Sequence, residues 1–68
     1  MLTYEPLRIL MVKRNMKGKD LIEVTGLTKP TVSKLMNDKQ VALDVLDRIC
    51  EALDVELHEV IRRKKEEE

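Results

Sequence analysis

The three-residue junction Gly26-Leu27-Thr28 constrains the fold of this chain more than any other feature. It separates two segments with helical spacing, residues 19–25 and 28–37. Gly26 suits the left-handed conformation that ends a helix, and Thr28 suits the N-cap of the helix that follows. A junction this short predicts two helices that cross at a steep angle rather than an antiparallel helical hairpin.

The apolar residues around the junction follow the pattern L-x(4)-G-L-x(4)-V-x(2)-L. Leu21, Val24 and Thr25 are predicted to face inward from the first helix, and Leu27 to fill the corner. Val32 and Leu35 are predicted to seat the second helix on the core. Together these positions predict a helix-turn-helix.

Three further helices are predicted outside this motif. The first spans residues 4–14, with Thr3 as its cap and Pro6 in its first turn. The second spans Leu43–Leu53, with an apolar stripe made of Leu43, Leu46, Ile49, Cys50 and Leu53. The third spans residues 56–61. No segment alternates for long enough to predict a strand, so we expect a compact all-α domain of five short helices over residues 1–61, followed by a charged tail at 62–68 that frays.

Charge is balanced in total but not along the chain. There are 13 Lys and Arg and 13 Asp and Glu, so the formal net charge is zero. Residues 8–39 contain eight bases and three acids, whereas residues 40–61 contain one base and six acids. This asymmetry indicates a basic face for a polyanion and an acidic face turned away from it. Two solvated faces without a partner are the alternative reading.

The residue inventory excludes several classes of protein. One Cys, Cys50, and one His, His58, cannot complete a four-ligand zinc site, and Cys50 is expected in the core. Two Gly rule out a phosphate-binding loop, and Ser33 as the one Ser leaves no plausible catalytic constellation. We therefore expect no enzyme and no cofactor. No apolar run is long enough to span a membrane and no signal peptide is visible, so a cytoplasmic location is expected.

The stretch KDLIEVTGLTKPTVSKLMNDKQ, followed by VALDVLDRICEALDVELHEVI, resembles the Cro/repressor-type (XRE-like) helix-turn-helix family of bacteria and phages. The resemblance covers about residues 5–61. It implies a small DNA-binding regulator of transcription whose recognition helix, residues 28–37, enters the major groove of double-stranded DNA. The DNA-contacting positions carried over by the resemblance are Lys19, Thr28, Lys29, Thr31, Ser33, Lys34, Asn37, Lys39 and Gln40.

Four residues depart from the pattern of the family. Ile22 stands where a small Ala is usual, and Pro30 stands where a polar base-reading residue is common. Asp38 replaces the usual Gly of the turn and is expected to bring a negative charge near phosphates. Ala42 replaces a capping Ser or Thr, a loss that costs about 1 kcal/mol.

Two kinds of partner follow from these observations. A homodimer is expected, because one recognition helix reads few base pairs and two half-sites about 34 Å apart double the contacts. The alternative is a protein-interaction module, such as an antitoxin that holds a basic partner with its acidic 44–59 face.

Overall fold

The computed structural model describes residues 1–64 and contains a four-helix domain closed by a short two-stranded sheet. The elements in chain order are β1 (Leu2–Thr3), α1 (Glu5–Lys13), α2 (Gly18–Thr25), α3 (Lys29–Met36), α4 (Leu43–Leu53), a 3-10 turn (Leu57–Glu59) and β2 (Arg62–Arg63). The mostly helical fold and the helix-turn-helix are confirmed. No helix within the described part of the chain is long and apolar enough to cross a membrane.

The C-terminal region corrects the predicted fifth helix and the expected absence of strands. Residues 56–61 form only the 3-10 turn, after which Val60 is fully buried and its carbonyl oxygen accepts from Leu7 N at 3.2 Å. That contact anchors the chain against α1, and β2 then pairs antiparallel with β1. The paired Arg62 and Arg63 lie in the segment predicted to fray, while residues 65–68 of that tail lie outside the described residues. The domain boundary at residue 61 stays a prediction.

The core draws one fully buried side chain from each helix and one from the C-terminal segment: Leu7, Leu21, Leu35, Ile49 and Val60. Burying an aliphatic side chain of this size stabilises a fold by about 1.5–3 kcal/mol. These residues therefore hold the four helices together, and α3 depends on Leu35 for its seat.

Two predicted core positions are wrong. Val24 is 52% exposed, whereas Leu21 and Thr25 are buried as predicted, and the Thr25 hydroxyl donates to the Leu21 carbonyl oxygen at 2.6 Å. Leu43 is 80% exposed, since it is the first residue of α4 and lies at the edge of the domain. Cys50 is half-buried and packs against the core.

Local signals in the sequence explain how the helices begin and end. Gly26 has a φ of 76° and ends α2 in the left-handed conformation. The Thr28 hydroxyl accepts from Thr31 N at 3.4 Å and caps α3. Tyr4, rather than Thr3, occupies the N-cap of α1, although the Thr3 hydroxyl accepts from Glu5 N at 3.1 Å.

Candidate nucleic-acid interface

Helix α3 turns one face to the core and the other to solvent. Val32 and Leu35 are buried, whereas Lys29, Ser33 and Lys34 are exposed. Lys29 and Ser33 are four residues apart and therefore lie on one ridge of the helix, with Lys34 beside it. This outer face carries hydroxyl and ammonium donors and has room for a partner.

Three of the predicted contact residues also serve the helix itself. Thr31 is half-buried, and its hydroxyl oxygen lies 3.1 Å from that of Thr28. The Asn37 side-chain N–H donates to the Ser33 carbonyl oxygen at 2.7 Å and so satisfies the last turn of α3. Thr28 and Asn37 are exposed as well as bonded, so each still presents polar atoms at the surface.

A groove of about 380 Å³ separates the start of α2 from α3. Ile22 and Val32 form its apolar floor, and Lys19 and Lys29 stand on either side. A Cβ placed on Gly18 would lie 3.7 Å from Val32 Cγ1, so the two helices approach closely here. Ile22 is half-buried in this groove, which shows how the fold accommodates a large residue at that position.

The Asp38 carboxylate does not stand alone after α3. Its Oδ1 accepts from Arg8 Nη1 at 3.0 Å and from Tyr4 N at 2.9 Å, and the Thr3 hydroxyl lies 3.1 Å from both of its oxygens. The Arg8 hydrogen bond is the largest cause that lowers the pKa of Asp38 to about 2, followed by the Tyr4 N–H. The negative charge expected near the phosphates is therefore paired within the protein.

Arg8 and Tyr4 extend this network to the end of α3. Arg8 Nη1 also donates to the Leu35 carbonyl oxygen at 3.0 Å, and the Tyr4 hydroxyl donates to the Lys39 carbonyl oxygen at 2.8 Å. These bonds fix the backbone that carries Lys39 and Gln40, both of which are exposed. The sequence did not predict that Arg8 and Tyr4 support the site. The one sequence feature that pointed to either of them is that Tyr4 is the single aromatic residue of the chain.

Two further observations concern metal-binding and thiol chemistry in the described part of the chain. No group of three or more His, Cys, Asp or Glu side chains within residues 1–64 is arranged to hold a metal ion. Burial raises the pKa of the Cys50 thiol, with the Asp47 carboxylate as a further cause. The thiol is therefore held in its protonated, weakly nucleophilic form.

Comparisons with known proteins agree with this geometry. A family model described as the Cro/C1-type HTH DNA-binding domain matches residues 6–66. Among solved structures, the crystal structure of the transcriptional regulator VanUg (Form II) superposes with a TM-score of 0.83 at 36% sequence identity. The match covers 90% of this chain and 81% of that one. No curated protein matches the sequence significantly.

Proposed function

The chain belongs to the family of Cro/C1-type helix-turn-helix DNA-binding domains, and on this premise we propose that it regulates transcription as a homodimer that places α3 in the major groove. The similarity to the transcriptional regulator VanUg supports the regulatory role. The observation that carries the proposal is the two-sided character of α3. Val32 and Leu35 anchor the helix, while Lys29, Ser33 and Lys34 are exposed for base edges.

Each exposed side chain has a role that its chemistry allows. Lys29 and Lys34 can donate to guanine O6 and N7, and Ser33 can donate or accept. Pro30, also exposed, has no side-chain donor and can offer only apolar contact. Lys19, at the start of α2, is assigned to a phosphate.

The loop after α3 supplies the remaining contacts to the DNA backbone. Lys39 and Gln40 are assigned to phosphates on the far side of the groove, where the hydrogen bond from Tyr4 holds Lys39 in place. Three or four phosphate contacts per subunit give roughly six to eight in a dimer. The logarithm of the affinity should then fall against the logarithm of salt concentration with a slope of about −5 to −7.

A titration of the chain into fluorescently labelled random duplex DNA, followed by anisotropy at several salt concentrations, tests the proposal. Binding that weakens with that slope supports a dimer on DNA, and a slope about half as steep indicates a monomer. A folded chain that does not bind even at low salt contradicts the proposal.

A protein-interaction module is the second candidate, favoured by one observation. Four acidic residues line a cavity of about 550 Å³ beside α4: Asp47, Glu51, Asp54 and Glu56. A basic protein partner would suit this rim. A chain that does not bind DNA but binds a small basic protein would favour this candidate.

A further inference from the structure

We propose that a second copy of this chain docks on the apolar groove between Leu43 and Leu57, with the acidic rim of each copy against the basic rim of the other. The proposal rests on the proposed function only in its expectation of a homodimer. It adds the surface and the pairing of charges, neither of which the family membership supplies.

The first observation is a concentration of exposed apolar side chains at one place. A groove of about 870 Å³ lies between the sheet and the start of α4, and Met1, Leu2, Leu43 and Leu57 all line it. All four are exposed, with Leu43 at 80% and Leu57 at 51%. Contiguous exposed apolar surface of this kind marks an interaction site, whereas single exposed residues need no explanation.

The second observation is the opposite charge on the two sides of this apolar surface. Leu43, Leu46 and Leu57 also line the neighbouring acidic cavity, which contains Glu51. On the other side, the groove is bordered by Lys39, Arg62 and Arg63, and the one acidic residue there, Asp38, is paired with Arg8. Arg62 makes an ion pair with Glu5, so the exposed Arg63 is the basic residue best placed for a partner.

This arrangement matches a second copy better than a partner of one charge sign. In a two-fold interface, residue i of one copy meets residue j of the other, and j meets i in return. An apolar centre with one acidic and one basic rim is therefore complementary to itself. A uniformly basic or uniformly acidic partner would meet a like charge on one of the two rims.

Docking at this surface leaves α3 open for DNA and involves only two of the proposed DNA-contacting residues, Lys39 and Gln40, at its edge. None of the lining residues of either cavity belongs to α3, Lys29–Met36. The groove does include Lys39 and Gln40, which continue the chain from α3. The interface would therefore lie beside the DNA-facing surface and leave both copies of α3 exposed.

Sedimentation equilibrium of the full chain without DNA, over a range of concentrations, tests the charge pairing. Glu51→Arg and Arg63→Glu should each raise the dimer Kd about tenfold or more, because like charges then face each other at two symmetric places. Mixing the two variants should restore association close to that of the wild type, since both places again pair opposite charges. Glu23→Arg, an exposed charge reversal outside both cavities, should leave association unchanged.

A second pair of variants tests the apolar centre. Leu43→Asp should abolish association, whereas Val12→Asp, at a position 78% exposed on α1 and away from the groove, should not. Thermal melting by circular dichroism should show both variants folded, since neither side chain is in the core. A wild-type chain that stays monomeric at millimolar concentration, or a mixture of charge variants that does not associate, overturns the interface.

The DNA titration separates this proposal from the proposed function. A chain that binds DNA but never associates in solution or on DNA contradicts the interface and leaves DNA binding intact. A chain whose charge variants behave as expected but which does not bind DNA contradicts the proposed function and leaves the interface intact.

Discussion

The helix-turn-helix and the loop that follows it are held by different kinds of contact. Residues 18–36 are fixed by two local signals, the left-handed Gly26 and the Thr28 cap, and by the apolar burial of Leu35 in the core. The loop at Asp38 is fixed by polar bonds from the far N-terminus, among them the bond from Thr3, 35 positions away. Local signals thus set where the helices of the motif begin and end. The position of the loop that follows α3 depends instead on residues near the N-terminus.

The largest effect is expected inside the motif. Leu35→Ala should lower the free energy of unfolding by about 2–5 kcal/mol, because it leaves a cavity under α3. Urea denaturation followed by circular dichroism measures this change. Val24→Ala is the matched control, since Val24 is half exposed on α2 and should cost far less. Equal losses for the two variants would show that the inward face of the motif is not what anchors α3.

The next effect concerns the outer face of the same helix. Lys34→Ala should weaken binding to a selected operator by about 1–3 kcal/mol if Lys34 reads a guanine. Anisotropy titrations against the operator and against random duplex measure the difference. An equal loss on both sequences would make Lys34 a phosphate contact only. Lys13→Ala, an exposed charge on α1, is the control for long-range attraction.

The parts of the fold also differ in how far they could be predicted from the sequence. Helix α4 begins and ends where its apolar stripe indicated, and the Gly26 and Thr28 conformations are confirmed. A strand of two residues has no periodicity to detect, so β1 and β2 emerge only from the folded chain. The DNA-contacting role of the predicted residues stays a prediction, since α3 could expose the same face to a different partner.

The hydrogen bonds to Asp38 could not be predicted from the sequence for a related reason. The presence of Asp38 in a turn already has a local explanation, because Asp tolerates a positive φ. The φ of Asp38 is indeed 56°. Nothing in the neighbouring sequence requires an arginine from α1 to bind it. Polar pairing over such distances is specified by where the fold places Arg8 of α1 relative to the end of α3, which apolar spacing describes only in outline.

Replacement of Asp38 tests this long-range network. Asp38→Asn should cost about 1 kcal/mol at neutral pH, a modest figure because the Arg8–Asp38 pair is partly exposed to solvent. The pKa of Asp38 is about 2 in the folded chain against an ordinary value of 3.8. The contribution of the carboxylate is therefore complete above about pH 4 and is lost as the pH falls toward 2.

Urea denaturation at several pH values measures this dependence. The difference between the wild type and Asp38→Asn should shrink between pH 4 and pH 2. Glu23→Gln, which removes an exposed carboxylate from α2 outside this network, serves as the control and should not reproduce the pattern. A difference that stays constant across this range would mean that the charge of Asp38 contributes nothing and that only its shape matters.

The smallest effect is expected beyond the loop, at the start of α4. Ala42 is the N-cap of this helix, with φ −70° and ψ 153°, and makes no side-chain hydrogen bond there. Ala42→Ser should raise the free energy of unfolding by about 0.5–1 kcal/mol, because the hydroxyl can accept from a free N–H of the first turn. Thr28→Ala should produce a loss of similar size at α3. If capping is local, Ala42→Ser should raise the free energy of unfolding by the same amount in the Asp38→Asn background. A gain that disappears in that background would show that the Asp38 network, rather than the cap, sets the start of α4.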